Sequence, residues 1–104
     1  GCASLIFSST RQARFIDMDG KVVQVDYGKE KRIETMPNGL VCTFDGKVRL
    51  KLPEGIRIVL YQAMSTSGVR YVSANKQYEF IEMGPYCTIS LNGKMTFEGF
   101  FCRK

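Results

Sequence analysis

The sequence predicts an all-β protein, a small antiparallel up-and-down β-barrel of about eight strands. Three observations predict it. Apolar and polar side chains alternate along short stretches, as at residues 47–52, where Val48, Leu50 and Leu52 point one way and Lys47, Arg49 and Lys51 the other. A period of two is the mark of a strand with one wet face. Between such stretches stand the pairs Asp19-Gly20, Asp45-Gly46 and Asn92-Gly93, residue types that tolerate the positive φ of tight hairpins. Seven phenylalanines, five tyrosines and ten glycines in 104 residues, with no long run lacking Gly or Pro, favour short strands over helices.

A chain of this length makes one domain with one core. Residues 1–13 have no clear period and read as an N-terminal segment or tether, although Leu5-Ile6-Phe7 has the composition of a short packing strand. The barrel domain is expected over 14–104. Its first hairpin runs from 14–18 through Asp19-Gly20 to 21–27, where Val23, Val25 and Tyr27 share a face. Residues 28–38 are charged and lead into Pro37-Asn38-Gly39, so they read as a loop with at most a short strand at 32–35. Residues 40–44 and 47–52 flank Asp45-Gly46 as a second hairpin, and Pro53-Glu54-Gly55 turns the chain into 56–61. Further strands are expected at 69–73, 77–83, 86–91 and 94–101, the last two joined by Asn92-Gly93. A barrel this small is filled by its own side chains, which leaves function to its loops.

Fifteen Lys and Arg against ten Asp and Glu give a net charge of +5, which invites nucleic acid, anionic lipid or an acidic partner. The basic residues are scattered singly along strands, the pattern of a solvated face. Histidine is absent, which removes the usual general base and the commonest metal ligand together. With no metal motif and no convincing carboxylate pair, neither an enzyme nor a cofactor is expected. Asp17-Met18-Asp19-Gly20 is a poor calcium loop, since Lys21 and Val23 stand where oxygen ligands belong, and it reads as a turn.

Cysteines at positions 2, 42, 87 and 102 lack Cys-x-x-Cys spacing, and their even number suggests disulfides and an exported, oxidising setting. Counted from Phe44, Cys42 shares the inward parity, as Cys87 does with Ile89 and Leu91; that favours a Cys42–Cys87 bridge and leaves Cys2 near Cys102. Gly1-Cys2-Ala3-Ser4 reads equally as the end of a bacterial lipobox, with Cys2 lipidated, or as a chain boundary with Cys2 an ordinary disulfide partner. No run is long enough to cross a bilayer as a helix.

The break in the strand pattern is Ala63-Met64-Ser65-Thr66-Ser67-Gly68-Val69-Arg70-Tyr71. Taken alone it is a turn, with Gly68 for positive φ and hydroxyls that cap backbone groups. In order and spacing, however, Ser65, Ser67, Gly68, Arg70 and Tyr71 fill a Ser-x-Ser-Gly-Ala-Arg-Tyr signature, with Val69 for the alanine. Upstream stand Leu52-Pro53-Glu54-Gly55, Ile58, Leu60 and Gln62; downstream stand Tyr78, Phe80, Gly84, Thr88, Ile89 and Cys102. From about Gly46 to Cys102 the chain resembles the membrane-bound and periplasmic inhibitors of c-type lysozyme, the MliC/PliC family.

The resemblance implies a non-enzymatic inhibitor, periplasmic or anchored by lipid in the outer membrane of a Gram-negative bacterium, that evades host defence. Its inhibitory loop would hold Ser65, Thr66, Ser67, Gly68, Arg70 and Tyr71. Ser67 matches the serine that enters the cleft and hydrogen-bonds the enzyme's two carboxyl groups, Gly68 the tight turn, and Tyr71 the brace. The second motif departs from the pattern, because Met83-Gly84 stands where the family has Lys-Gly. Lys76 or Arg70 would have to replace that cation, or affinity falls, or the target differs, with invertebrate-type lysozyme the second candidate. The family's bridge joins a first-strand cysteine to the terminal one; Asp17 occupies the first position, so Cys42–Cys102 is a live alternative. Two other functions stay open. One is a basic barrel that binds nucleic acid or an anionic glycan through Arg49, Lys51 and Arg57, and the other is an envelope adhesin or structural lipoprotein that keeps the fold without inhibition.

Overall fold

The computed structural model describes residues 9–102, and every regular element among them is a strand: β1 (Arg11–Ile16), β2 (Val22–Thr35), β3 (Val41–Lys51), β4 (Arg57–Ala63), β5 (Val69–Ser73), β6 (Tyr78–Met83), β7 (Tyr86–Leu91) and β8 (Lys94–Cys102). Each pairs antiparallel with its neighbour in sequence. β8 returns to β1 through Arg14↔Cys102, Phe15↔Phe101 and Ile16↔Phe100, which closes an eight-stranded barrel. The candidate strand Leu5-Ile6-Phe7 and the lipidation candidate Cys2 lie outside the described residues.

Alternation builds the core directly. Val23, Val25, Val48, Leu50, Leu60 and Ile89 are wholly buried, while Arg49 and Lys51 face outward. Phe15 meets Phe80 edge to face at 6.1 Å in the middle of the barrel. Each such side chain contributes about 1.5–3 kcal/mol on burial, and together they offset the entropy of ordering many short strands.

Three strands differ from expectation. β1 begins at Arg11 rather than Arg14, and β2 does not stop at Tyr27 but continues to Thr35. Asp45-Gly46 is not a turn. It lies inside β3, and the true hairpin turn is at 36–40, where Gly39 N–H donates to Met36 O at 2.9 Å and Met36 N–H to Leu40 O at 2.7 Å. Gly46 serves close approach instead. A Cβ there would stand 2.6 Å from Gln62 Oε1, the same oxygen that accepts the Gly46 N–H at 3.1 Å.

The consequence is a two-stranded ribbon. β1 pairs with β2 only as far as Arg11↔Tyr27, and β4 with β3 only as far as Lys47↔Tyr61, whereas β2 and β3 stay paired out to Thr35↔Val41. Between Lys29↔Gly46 and Arg32↔Phe44 the register shifts by one, so Glu30 and Lys31 oppose Asp45 alone. Such a bulge bends the strand and reverses the parity of everything beyond it. Arg32 and Glu34 therefore share the mouth-side face of the ribbon with Cys42 and Phe44, and Ile33 shares the outer face with Thr43 and Val41.

The barrel thus has two unlike ends. At one, four short turns close β1–β2, β3–β4, β5–β6 and β7–β8. At the other stand the ribbon, the β4–β5 loop at 64–68 and the β6–β7 turn at Gly84-Pro85.

Candidate functional site

The β4–β5 loop is locked from within and clamped from below. Ser65 Oγ donates to the Ser67 carbonyl at 2.7 Å and accepts the Ser67 N–H at 3.2 Å, a closed hydroxyl turn. Arg70, one residue into β5, donates to the Met64 carbonyl at 3.1 Å and also to the Glu79 carboxylate on β6. Gly68 adopts φ +71, and a Cβ there would lie 2.6 Å from both the Glu82 carbonyl oxygen and Met83 Cγ. That contact is why the loop needs glycine twice over, for its backbone sign and for its fit against the end of β6.

These constraints leave Ser67 exposed at the tip, beside the second motif. Its hydroxyl donates to the Met83 thioether sulfur at 3.6 Å, a weak acceptor that leaves the donor available. Between loop and β6 runs an open groove of about 470 Å³, lined by Met64, Thr66, Ser67, Arg70, Ile81 and Met83. Gly84 follows Met83 at φ +60 and opens the turn to β7. The two stretches separated in sequence by most of β5 and β6 therefore meet in one surface.

Tyr71 does not reach that surface. It is buried and stacks on Phe80 with ring centres 5.8 Å apart, so it fixes β5 from the barrel interior. Burial, and then the charge of Glu82, push its hydroxyl pKa up, with Arg11 opposing. The loop's Thr66 is exposed, and Ser65 is spent on the turn itself.

Of the two cations expected to replace the missing lysine, Lys76 is in the wrong place. It occupies the β5–β6 turn with φ 66, its N–H held by the Ser73 carbonyl at 2.9 Å, and that turn closes the opposite end of the barrel. The strand between the motifs has to run away from the loop before β6 returns, and Lys76 marks its far point. Arg70 does line the groove, but Glu79 and the Met64 carbonyl hold its guanidinium.

Two of the disulfide expectations also need correcting, while the placing of Cys2 near Cys102 rests on a residue outside the described ones. Cys42, Cys87 and Cys102 are free thiols, so neither the Cys42–Cys87 nor the Cys42–Cys102 bridge is formed. Cys42 shares the face of Phe44 but stands opposite Glu34 on the ribbon, beyond the mouth, while Cys87 is buried inside the barrel opposite Glu82 and Gly99. Burial, and secondarily the Glu82 charge, push the Cys87 thiol up to about 12.

The mouth under the loop holds a polar cluster that pattern reading missed. Tyr27 donates to Glu82 Oε2 at 2.8 Å, and the Arg11 guanidinium lies 3.6 Å from the centre of the Tyr27 ring. Burial, reinforced by that bond, raises the Tyr27 hydroxyl far above its ordinary value. The signal was present, because Glu82 shares the inward parity of Tyr78 and Phe80. Nearby, Arg32 donates to the Gln62 carbonyl at 2.8 Å and to Glu34 at 3.0 Å, with its Nε buried and unbonded. Together with the Gly46 to Gln62 bond, this ties the ribbon to the end of β4 from which the loop departs.

On the outer wall, Arg49 forms an ion pair with the nearly buried Asp26 at 2.8 Å, and exposed Lys51 and Arg57 are cross-strand neighbours. Among the described residues no group of three or more His, Cys, Asp and Glu is placed to hold a metal ion. No family model, no curated protein and no solved structure matches this chain. The described residues form a closed eight-stranded barrel that presents an ordered serine loop and a methionine turn side by side.

Proposed function

We propose that the protein is a non-enzymatic inhibitor that plugs the cleft of a glycan-cleaving enzyme. The enzyme it suits best is lysozyme, c-type before invertebrate-type. The observation that carries the reading is the meeting of Ser67 with Met83: the positions matched to the family's serine and lysine lie in contact at one surface. A preorganised loop loses little conformational freedom on docking, so its contacts translate more fully into affinity. Its hydroxyl can reach a carboxyl group in the cleft while offering no bond to cleave.

Met83 changes the chemistry of that contact. Where the family sets an ammonium against a carboxylate, this chain sets a thioether and the apolar flank of Met64. Binding then relies on Ser67 and on fit. The net charge of +5 adds no long-range attraction to a basic lysozyme, so association is slower than for an acidic inhibitor. A bacterial envelope setting and a lipid on Cys2 belong to the same proposal and rest on the resemblance. The anionic-ligand alternative draws less support from the surface, since Asp26 engages Arg49 and leaves Lys51 with Arg57.

A turbidity assay of bacterial walls with c-type, g-type and invertebrate-type lysozymes, each with and without the protein, tests the reading. Inhibition of the c-type enzyme is expected, and none of any type sinks it. In calorimetric titration, Ser67→Ala should weaken binding by roughly 1.5–3 kcal/mol, about one to two decades in Kd. Met83→Lys should tighten binding to a c-type enzyme.

A further inference from the structure

The ribbon has two long edges, and among the described residues neither has a backbone partner beyond Tyr27 on β2 or Lys47 on β3. The two edges differ in composition. β2 carries Lys29, Glu30, Lys31, Arg32 and Glu34, the charged guard that keeps an edge from pairing with another strand. β3 and the residue just before it carry Leu40-Val41-Cys42-Thr43-Phe44, a run with no charge, no proline and no glycine. Its β-branched and aromatic residues are those that pair most readily as strands. Leu40 and Val41 are 57% and 59% exposed at the start of that run.

We propose that this β3 edge is a self-association surface: two copies of the chain pair β3 to β3, antiparallel about a two-fold axis through Cys42. The result is one four-stranded ribbon across the two-fold. Self-complementarity selects a second copy as the occupant. With Cys42 on the axis, Val41 stands opposite Thr43 of the second copy and Leu40 opposite its Phe44, and the symmetry makes each pairing twice. Copies carrying +5 each repel one another, and a run with no charge is where they can approach without setting like charges face to face. The two free Cys42 thiols then come together. Directly opposed Cα atoms in an antiparallel pair are about 4.5–5.5 Å apart, inside the roughly 4.4–6.8 Å that a disulfide spans. None of this depends on the inhibitor reading.

Sedimentation equilibrium of the full chain under reducing conditions is the test, run from low to high micromolar. A concentration-dependent monomer–dimer equilibrium is expected. Thr43→Lys, which sets two like charges near the axis, should raise the dimer dissociation constant at least about tenfold. Val41→Lys should do the same and serves if the first variant does not fold, as judged by circular dichroism. Ile33→Lys, on the outer face of the neighbouring strand, should leave the equilibrium unchanged. Copper phenanthroline with dioxygen, which takes two electrons and two protons from a pair of thiols, should link the dimer through Cys42. Cys42→Ser should abolish that link yet still dimerise under reducing conditions. A chain that stays monomeric throughout overturns the proposal and leaves the edge to another element or another protein. A dimer that Ile33→Lys dissolves while Thr43→Lys spares it, or a link that survives in Cys42→Ser, overturns it equally.

Discussion

The two ends of the barrel solve the same problem, reversing a chain between antiparallel strands, in opposite ways. At the turn end every reversal is short, and two of the four carry their own capping side chains. Asp17 accepts the Asp19 and Lys21 N–H groups at 2.9 and 2.8 Å, and Ser73 accepts that of Tyr78 at 3.0 Å while donating to Asn75 at 2.7 Å. At the loop end the β2–β3 turn is likewise local, with Asn38 accepting the Leu40 N–H at 3.0 Å, but the β4–β5 loop and the base of the ribbon also draw support from other strands: Arg70 from β6, Arg32 from β4, and Gly68 from the backbone of Glu82. Ser67 is thus held both by the turn it sits in and by contacts that reach it from β5 and β6.

The widest contrast to test is among the thiols. Cys87 is buried with its pKa at about 12 against an ordinary 9.0, so its thiolate fraction near neutral pH is about a thousandfold lower than that of a solvated thiol. Iodoacetamide should label Cys42 readily and Cys87 only after unfolding, read by peptide mass spectrometry. Rapid labelling of Cys87 in the folded protein would mean that the mouth opens.

Glycine substitution separates the ends themselves. Gly20, at φ +85 in a local turn, has open space where a Cβ would go, and Gly20→Ala should cost only about 1–2 kcal/mol for its backbone. Gly68→Ala adds a collision with the Glu82 backbone and should cost about 3 kcal/mol or more in urea unfolding. Equal costs would show that the loop end is as local as the turn end.

Acid titration probes the wall between the ends. Burial pushes the Asp26 pKa up, but hydrogen bonds from Arg49 and Gln24 and the charge of Arg49 outweigh it, and the carboxyl sits below its usual value. A group whose folded pKa is depressed stabilises fully above its unfolded value of about 3.9 and loses that contribution as pH falls through the folded value. Asp26→Asn should therefore be less stable at neutral pH, and should lose less on acidification below about pH 4. The smallest effect belongs to Ser67→Ala, whose exposed hydroxyl should change unfolding stability by under about 0.5 kcal/mol.

Much of this was legible in the sequence because it is local. Alternation placed Val48, Leu50 and Leu60 in the core, and Asp19-Gly20 and Asn92-Gly93 are turns as their residue types require. Asp45-Gly46 misled because a glycine has two uses. It can supply positive φ, or it can make room, and at Gly46 the neighbour needing room is Gln62 on another strand. Lys76 misled because distance along the chain is not distance across a hairpin. Cys42 had the right parity and the wrong depth, since nothing in a run of alternating residues says where a barrel stops and a ribbon begins. The meeting of Ser67 with Met83 followed only from strand order, and the pairing of Tyr27 with Glu82, 55 positions apart, depended on closure of the whole wall.

The bulge at Glu30-Lys31 carries a consequence for how such a protein changes over generations. Because faces alternate along a strand, a residue lost from a regular stretch of a ladder exchanges every position beyond it. Here Glu30 and Lys31 both stand against Asp45, and the ladder resumes with Arg32 on Phe44 and Ile33 on Thr43. Deleting either of the two would leave those pairs as they are, with Arg32 and Glu34 still on the mouth side and Ile33 still outside. A single codon lost at that point would therefore take the local bend out of the ribbon and spare both of its faces. The bulge is the place where this strand can change in length without changing either surface.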